Sequence, residues 1–272
     1  MDIFNLVIGT LLKWFYAGLA FLPPSGPLVI ISLLGGVGML WVFKRTSNPE
    51  RIKRVKRLVQ AHLLEMRLFR DEPGVVWQAQ KSLLWSNAKY MGLMLQPAVW
   101  IAIPLTLLFF HMEAYHGREP LPLDRDAIVT MGMRTAIDAN VPVPVMTPPE
   151  GIVALTPPVR VLGERQISWR IRPVAPVSGS LRFAVGGETI EKKIEAGPSA
   201  RFVPGLRPSS ILEAVLHPDE PRIQSPAVDW IDVRYPDANV AIFGIQLHWI
   251  LWFTIISMVF ALLFRKRFGV VL

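Results

Sequence analysis

The chain has 272 residues, of which 51% are hydrophobic and only 18% charged, with a formal net charge of +8. Soluble domains carry about a quarter charged residues, so this composition argues against a wholly soluble protein. Cysteine is absent, which excludes a disulfide framework, thiolate metal sites and cysteine nucleophiles.

An apolar run opens the chain at residues 3–22, with Lys13 at its middle and Asn5 and Thr10 nearby. A lysine at mid-bilayer costs roughly 2.5–3.5 kcal/mol on insertion scales. Residues 23–27 (PPSGP) leave almost no chain for a tight transmembrane hairpin. Residues 1–26 therefore read as an amphipathic helix lying in the membrane interface, with Trp14 and Phe15 at headgroup level. The alternative is a fourth span with Lys13 facing a protein interior. A cleaved signal peptide is not expected, because a basic leader and a small-residue cleavage site are lacking.

Residues 27–43 are uncharged and stop at Lys44-Arg45, and 91–112 form a second uncharged run. About 20 helical residues cross a hydrocarbon core, so both read as transmembrane helices. Together they make a 27–112 module, joined by a basic cytoplasmic helical hairpin over 45–90. Asn48-Pro49-Glu50 predicts a helix start, with Asn48 as cap and Pro49 in the first turn. Ile52, Val55, Val59, His62 and Met66 recur at helical spacing. Arg51, Lys53, Arg54, Lys56 and Arg57 cover the remaining surface. Asp71-Glu72-Pro73-Gly74 breaks that helix, and a second helical stretch from Val75 runs on into the second span.

The basic residues have three readings: a solvated face that fixes topology, a contact for anionic lipid headgroups, or a ribosome contact through RNA phosphates. Aromatics interleaved with the basic run are lacking, so no specific nucleic-acid motif is present. In the second span Asn87, Lys89, Tyr90 and Gln96 supply polar groups at the cytoplasmic half, and Pro97 and Pro104 are expected to kink the helix. Gly35, Gly36 and Gly38, with Ser32, permit close approach of the first span to a neighbour. These polar positions read either as ordinary helix packing or as a shallow hydrophilic groove open to the cytoplasm.

Residues 113–240 are a different material, proline-rich and alternating. Period-two runs at 167–173, 179–185, 189–194 and 227–234 mark half-buried strands, with further candidates at 127–133, 151–155, 158–162 and 210–216. Gly186-Gly187 reads as a hairpin turn. The proline-rich stretches 141–149 and 218–226 read as loops or edge connections. Seven or eight short strands predict an all-β, immunoglobulin-like sandwich. Trp169 and Trp230, inside strand patterns, are expected to pack rather than stack on a ligand. Residues 241–264 form the third apolar run, ended by Arg265-Lys266-Arg267, so 241–272 holds the third span and a basic tail.

Segment 44–90 holds 11 Lys and Arg against 4 Asp and Glu, whereas 113–240 holds 14 against 16. The positive-inside rule places 45–90 and the C-terminus in the cytoplasm and 113–240 outside it. His116 and His217 are far apart in sequence, and neither a Ser-His-Asp set nor a metal-helix motif is apparent. No enzymatic activity, metal or cofactor is expected.

An interfacial helix, an out-to-in span, a charged cytoplasmic hairpin, an in-to-out span and a final out-to-in span are an order that resembles the YidC/Oxa/Alb membrane-protein insertase superfamily. The likeness is to its reduced three-span, archaeal YidC-like type, here with an inserted β-domain. It rests on Pro23-Pro24 to Phe43, Lys44 to Arg70, and Trp85 to Trp100, and is architectural rather than a short motif. The resemblance implies a multi-pass protein of a bacterial inner membrane that assists insertion or assembly of membrane proteins. It implies a cytoplasm-facing groove, with polarity from Asn87, Lys89 and Gln96. It also implies hydrophobic client segments, other membrane subunits or the ribosome as partners of the hairpin residues Arg51, Lys53, Arg54, Lys56 and Arg57. The alternative is a non-catalytic scaffold subunit of a larger membrane complex, docking through its β-domain.

Overall fold

The computed structural model describes residues 2–137, 143–198 and 201–269, without the side chains of residues 2, 3, 4 and 6. Four long helices come first in the chain: α1 (Asp2–Gly18), α2 (Ser25–Thr46), α3 (Pro49–Leu68) and α4 (Pro73–His116). A short helix α5 (Ile211–Leu216) and a final helix α6 (Trp249–Phe268) follow within and after the β-rich region. The helices α2, α4 and α6 are long and apolar enough to cross a membrane. By contact the chain divides into two compact units, residues 1–28 with 107–252, and residues 29–106 with 253–272.

In the second unit, α3 starts as its sequence dictates. Asn48 is extended, and its side-chain oxygen accepts the backbone N–H of Arg51 at 3.1 Å, while Pro49 occupies the first turn. This satisfies one of the N–H groups that a helix start leaves free. Ile52 is buried and Val55, Val59, His62 and Met66 are half-buried, so the apolar stripe faces inward. The helix ends before Asp71 and α4 begins at Pro73, running on through Pro97 and Pro104 as one helix of 44 residues. Between α2 and α6 the backbones come close. A Cβ on Gly36 would lie 2.6 Å from the Ser257 carbonyl oxygen, and one on Gly35 would lie 2.8 Å from the Phe253 ring. Gly38 meets nothing within 4 Å, so it plays no part in that approach.

The first unit holds the β-structure. Its strands are β1 (Ala127–Met133), β2 (Val145–Thr147), β3 (Ile152–Ala154), β4 (Val159–Val161), β5 (Gln166–Pro173), β6 (Val177–Val185), β7 (Glu188–Ala196), β8 (Arg207–Pro208), β9 (Val228–Val233), β10 (Val240–Ile242) and β11 (Ile245–Leu247). One sheet runs β3-β5-β1-β9-β8 with β4 also on β5, a second runs β2-β6-β7, and β10 and β11 form a separate hairpin. Alternation puts Val129, Met131, Ile167, Trp169, Ile171 and Ile231 of the first sheet into one core with Leu181, Phe183, Ile190 and Ile194 of the second. Trp169 meets Phe183 with ring centroids 5.2 Å apart. The β6–β7 hairpin closes through Gly186 and Gly187, with φ of 57° and 86°, a left-handed pair that glycine adopts without steric cost. Gly132 makes room for Trp230, whose indole nitrogen would lie 2.4 Å from a Cβ there.

Two expectations are corrected. Residues 210–216 are not a strand: Ile211–Leu216 is helical, and the Ser210 hydroxyl accepts the Glu213 N–H at 3.2 Å. Ser-x-x-Glu is a capping-box spacing, and here it outweighs the apolar run behind it. Nor does the last helix begin near 241. Residues 240–247 pair as a hairpin, because Phe243 and Gly244 turn the chain with φ of 54° and 82°, and helix starts only at Trp249. The proline-rich stretch 141–149, read as a loop or edge connection, contains β2 at the edge of the second sheet, and its residues 141–142 lie outside the described residues.

Candidate functional site

The surface of α3 is divided along its length. Arg51, Lys53, Arg54, Lys56 and Arg57 are all exposed, and a shallow depression is lined by Glu50, Lys53, Arg54, Arg57, Leu58 and Ala61. Further along, Leu63, Leu64, Leu68 and Phe69 are exposed as well. At about 3.6 residues per turn, Leu64 and Leu68 continue the side that carries Lys53 and Arg57. One outward face is thus basic in its first half and apolar in its second. The basic half was legible in the sequence. The exposed leucines were not singled out, although they depart from the inward stripe at Ile52, Val55 and Val59.

Asn87, Lys89 and Gln96 are all exposed on α4, and Tyr90 is half-buried. Between residues 73 and 106 the buried positions of this helix are Ala79, Ser86 and Pro97. By helical periodicity Lys89 and Gln96 fall on one flank of these positions and Asn87 on the other. The fold therefore brings two of the three onto one side and leaves the third apart. The Lys89 ammonium lies 5.4 Å from the centre of the Trp85 ring, Lys81 lies 5.4 Å from Trp77, and the Arg45 guanidinium lies 5.7 Å from Trp41. Each is a tryptophan followed four residues later by a cation, and the ring's negative face attracts the charge. That spacing is visible in the sequence. Amphipathic aromatic rings beside cations are suited to headgroup level.

The first unit, taken by itself, holds a buried charge cluster. Lys192 sits on the inward face of β7 between Ile190 and Ile194, and pairs with Glu220. The same ammonium donates to the Pro204 carbonyl at 3.0 Å and the Lys193 carbonyl at 3.2 Å. The other Glu220 oxygen accepts the Lys193 backbone N–H at 2.9 Å. Next to it, Arg118 donates to Asp219 at 3.2 Å, and the Gly205 N–H also points at that carboxylate. Burial pushes the Asp219 carboxyl up to about 6, against the pull of Arg118. Burial likewise lowers Lys192, and Glu220 opposes that fall. Every charge in the cluster has a partner of opposite sign, and the arrangement fastens the 204–220 connection to β7.

A mixed-polarity cleft opens beside this cluster, lined in part by Thr189, Glu191, Lys193, Arg207 and Arg222. Arg207 donates to the Pro221 carbonyl at 2.7 Å and also to the Glu191 carbonyl, so its guanidinium braces the cleft wall. Trp169 is in the core and Trp230 packs over Gly132. Among the described residues there is no group of three or more His, Asp or Glu placed to hold a metal ion. No family model, curated protein or solved structure matches the chain.

Proposed function

We propose that the chain is a multi-pass protein of a bacterial inner membrane that assists the insertion or assembly of other membrane proteins, as its resemblance to the YidC/Oxa/Alb superfamily implies. The observation that carries this reading is the exposure of Lys89 and Gln96 on one flank of α4, with Asn87 exposed on the other flank. A polar client segment crossing hydrocarbon meets a barrier of unsatisfied hydrogen-bonding groups. Polar side chains exposed on a membrane-crossing helix lower that barrier. The divided face of α3 suits the preceding step, with cations for the anionic leaflet or ribosome and leucines for a hydrophobic segment. In this reading α3 and the C-terminus are cytoplasmic and the β-domain lies outside, as the distribution of Lys and Arg favours. Exposure of Lys13 and Trp14 on α1 supports an interfacial helix. Two antiparallel sheets sharing one core with Trp169 at its centre support an immunoglobulin-like sandwich.

The test uses the absence of native cysteine. Single cysteines at positions 87, 89 and 96 in membrane vesicles are labelled with a polar maleimide from each side. Labelling from the cytoplasmic side at 89 and 96, which share a flank, is expected of a hydrated groove, and position 87 reports on the opposite flank. Protection at 89 and 96 overturns the insertase reading and leaves a scaffold subunit, its helices packed on partners and its β-domain the docking module.

A further inference from the structure

The turn of the β10–β11 hairpin is chemically out of place for a soluble loop. Its two central residues are both left-handed, a geometry for which Asn-Gly is the favoured pair. Here the first is Phe243, a bulky residue at φ 54°, and it is 97% exposed. A phenylalanine in this conformation is sterically disfavoured, and its side chain gains nothing from burial within the chain. Ile245 on the next strand is also exposed, and the whole hairpin, Val240 to Leu247, carries no charge.

The hairpin does not swing freely. Ile242 is buried, and the Trp252 indole N–H donates to the Val240 carbonyl at 2.9 Å. His248 alone separates β11 from Trp249, the first residue of α6. Trp249 is fully buried and its indole N–H donates to Glu113 at 3.1 Å, near the end of α4. On the same end of α4, Tyr115 stacks on Tyr16 of α1 at 3.9 Å, and the Tyr16 hydroxyl meets His116 at 2.8 Å. The outward side of α1 shows Leu11 and Trp14, and Asn5 on this helix donates to the Ala214 carbonyl of α5 at 2.9 Å. Helix α5 in turn exposes Leu212 and Leu216. The hairpin and α1 are thus held to one end of α4 and run within a few residues into helices apolar enough to cross a membrane, while α5 meets α1 about three turns from that end.

We propose that the β10–β11 hairpin and α5 join α1 as membrane-dipping elements, inserting Phe243, Ile245, Leu212 and Leu216 into the headgroup–acyl boundary of the leaflet on the β-domain side. A lipid leaflet is the occupant these features fit. It requires no shape-complementary pocket, it accepts single projecting apolar side chains, and the covalent path into α2 and α6 delivers α1 and the hairpin to its surface, with α5 tied to α1 through Asn5. A scattered exposed side chain is ordinary in a soluble protein, but apolar projections on the two elements that lead directly into candidate spans, α1 and the hairpin, call for an apolar surface. The inference rests on the membrane reading above and is independent of insertase activity.

The experiment attaches an environment-sensitive NBD probe to single cysteines in the full chain, reconstituted in phosphatidylcholine–phosphatidylglycerol vesicles. Phe243→Cys, Ile245→Cys and Leu212→Cys report on the proposed contact. Glu188→Cys, on the other hairpin, serves as the water reference, and Ile255→Cys on α6 as the membrane reference. Probes at 243, 245 and 212 are expected to emit to the blue of 188. Lipids carrying a nitroxide near the headgroup should quench them, while 188 is untouched. Quenching at 255 with none at 243, 245 and 212 overturns this proposal and leaves the membrane reading standing. Absence of quenching at 255 as well overturns both. Blue-shifted emission at 243 without lipid quenching means that a protein surface covers the hairpin, and this too overturns the proposal.

Discussion

Lys192 and Glu220 form an ion pair in which the side chains are 0% and 3% exposed, linking the middle of β7 to the connection ahead of β9. Removing two charges from water is costly, and such a pair is tolerable only when remaining polar groups are satisfied. Here the Pro204 and Lys193 carbonyls take the other ammonium protons, and the Lys193 N–H takes the second carboxylate oxygen. Lys192→Met leaves the Glu220 carboxylate buried and unpaired. It should destabilise the chain by about 3–5 kcal/mol, the usual range for breaking a buried pair. Combining it with Glu220→Gln should cost less than the sum of the two single changes, because the unpaired charge is gone. Thermal unfolding of the full chain and its three variants in detergent measures this cycle, and strict additivity would show that the two groups do not act as a pair.

Asp219 gives the same region a pH dependence of defined sign. Its folded-state value is raised from 3.8 to about 6, chiefly by burial. A carboxyl raised on folding favours the protonated folded form. Its contribution to stability is therefore fully present below 3.8 and is lost as pH rises through about 6. The stability of the parent chain relative to Asp219→Asn should fall across that window and then level off. Unfolding midpoints of both proteins at a series of pH values give the comparison. A difference that rises with pH would mean that Arg118 outweighs burial.

The short helix α5 depends on one side chain at its start. The Ser210 hydroxyl accepts the Glu213 N–H, one of the donors that a helix beginning leaves free. Ser210→Ala should cost about 1 kcal/mol, whereas Ser210→Asp should retain the helix. Hydrogen exchange at the Glu213 amide is the direct readout, faster in the alanine variant and slow in the aspartate one.

Local chemistry was the legible part of this sequence. Asn48 and Pro49 announce the start of α3, and alternation along 127–133 and 167–173 marks strands because each burial pattern is written into neighbouring residues. The β10–β11 hairpin was hidden because apolar residues 241–248 merge with the helix after them in any hydropathy window, and only the Phe243-Gly244 turn separates the two. Alternation alone puts Lys192 on the buried face between Ile190 and Ile194, so its burial could have been read. Its partner could not, since Glu220 lies 28 residues away and is brought close by the fold. Exposure of Asn87, Lys89 and Gln96 was likewise beyond the sequence, because a polar residue in an apolar helix is equally compatible with packing and with solvation.

The paired glycines of α2 make the sharpest contrast between residues of one type. At Gly36 an added methyl group would sit 2.6 Å from the Ser257 carbonyl oxygen, a backbone atom on α6 that cannot rotate away. At Gly35 the obstacle is the Phe253 ring at 2.8 Å, a side chain with some freedom to move. At Gly38 there is open space. Small residues let apolar helices gain packing contacts that lipid cannot replace, so separation of α2 from α6 forfeits that packing. Gly36→Ala should destabilise by about 1–3 kcal/mol, the range for overpacking, and Gly35→Ala by less. Gly38→Ala should be neutral or slightly stabilising through its better helix propensity. Midpoints of thermal unfolding in detergent should therefore rank Gly36→Ala lowest, then Gly35→Ala, with Gly38→Ala at or above the parent. Equal effects at 36 and 38 would mean that the glycines serve only helix flexibility and that α2 and α6 do not pack through them.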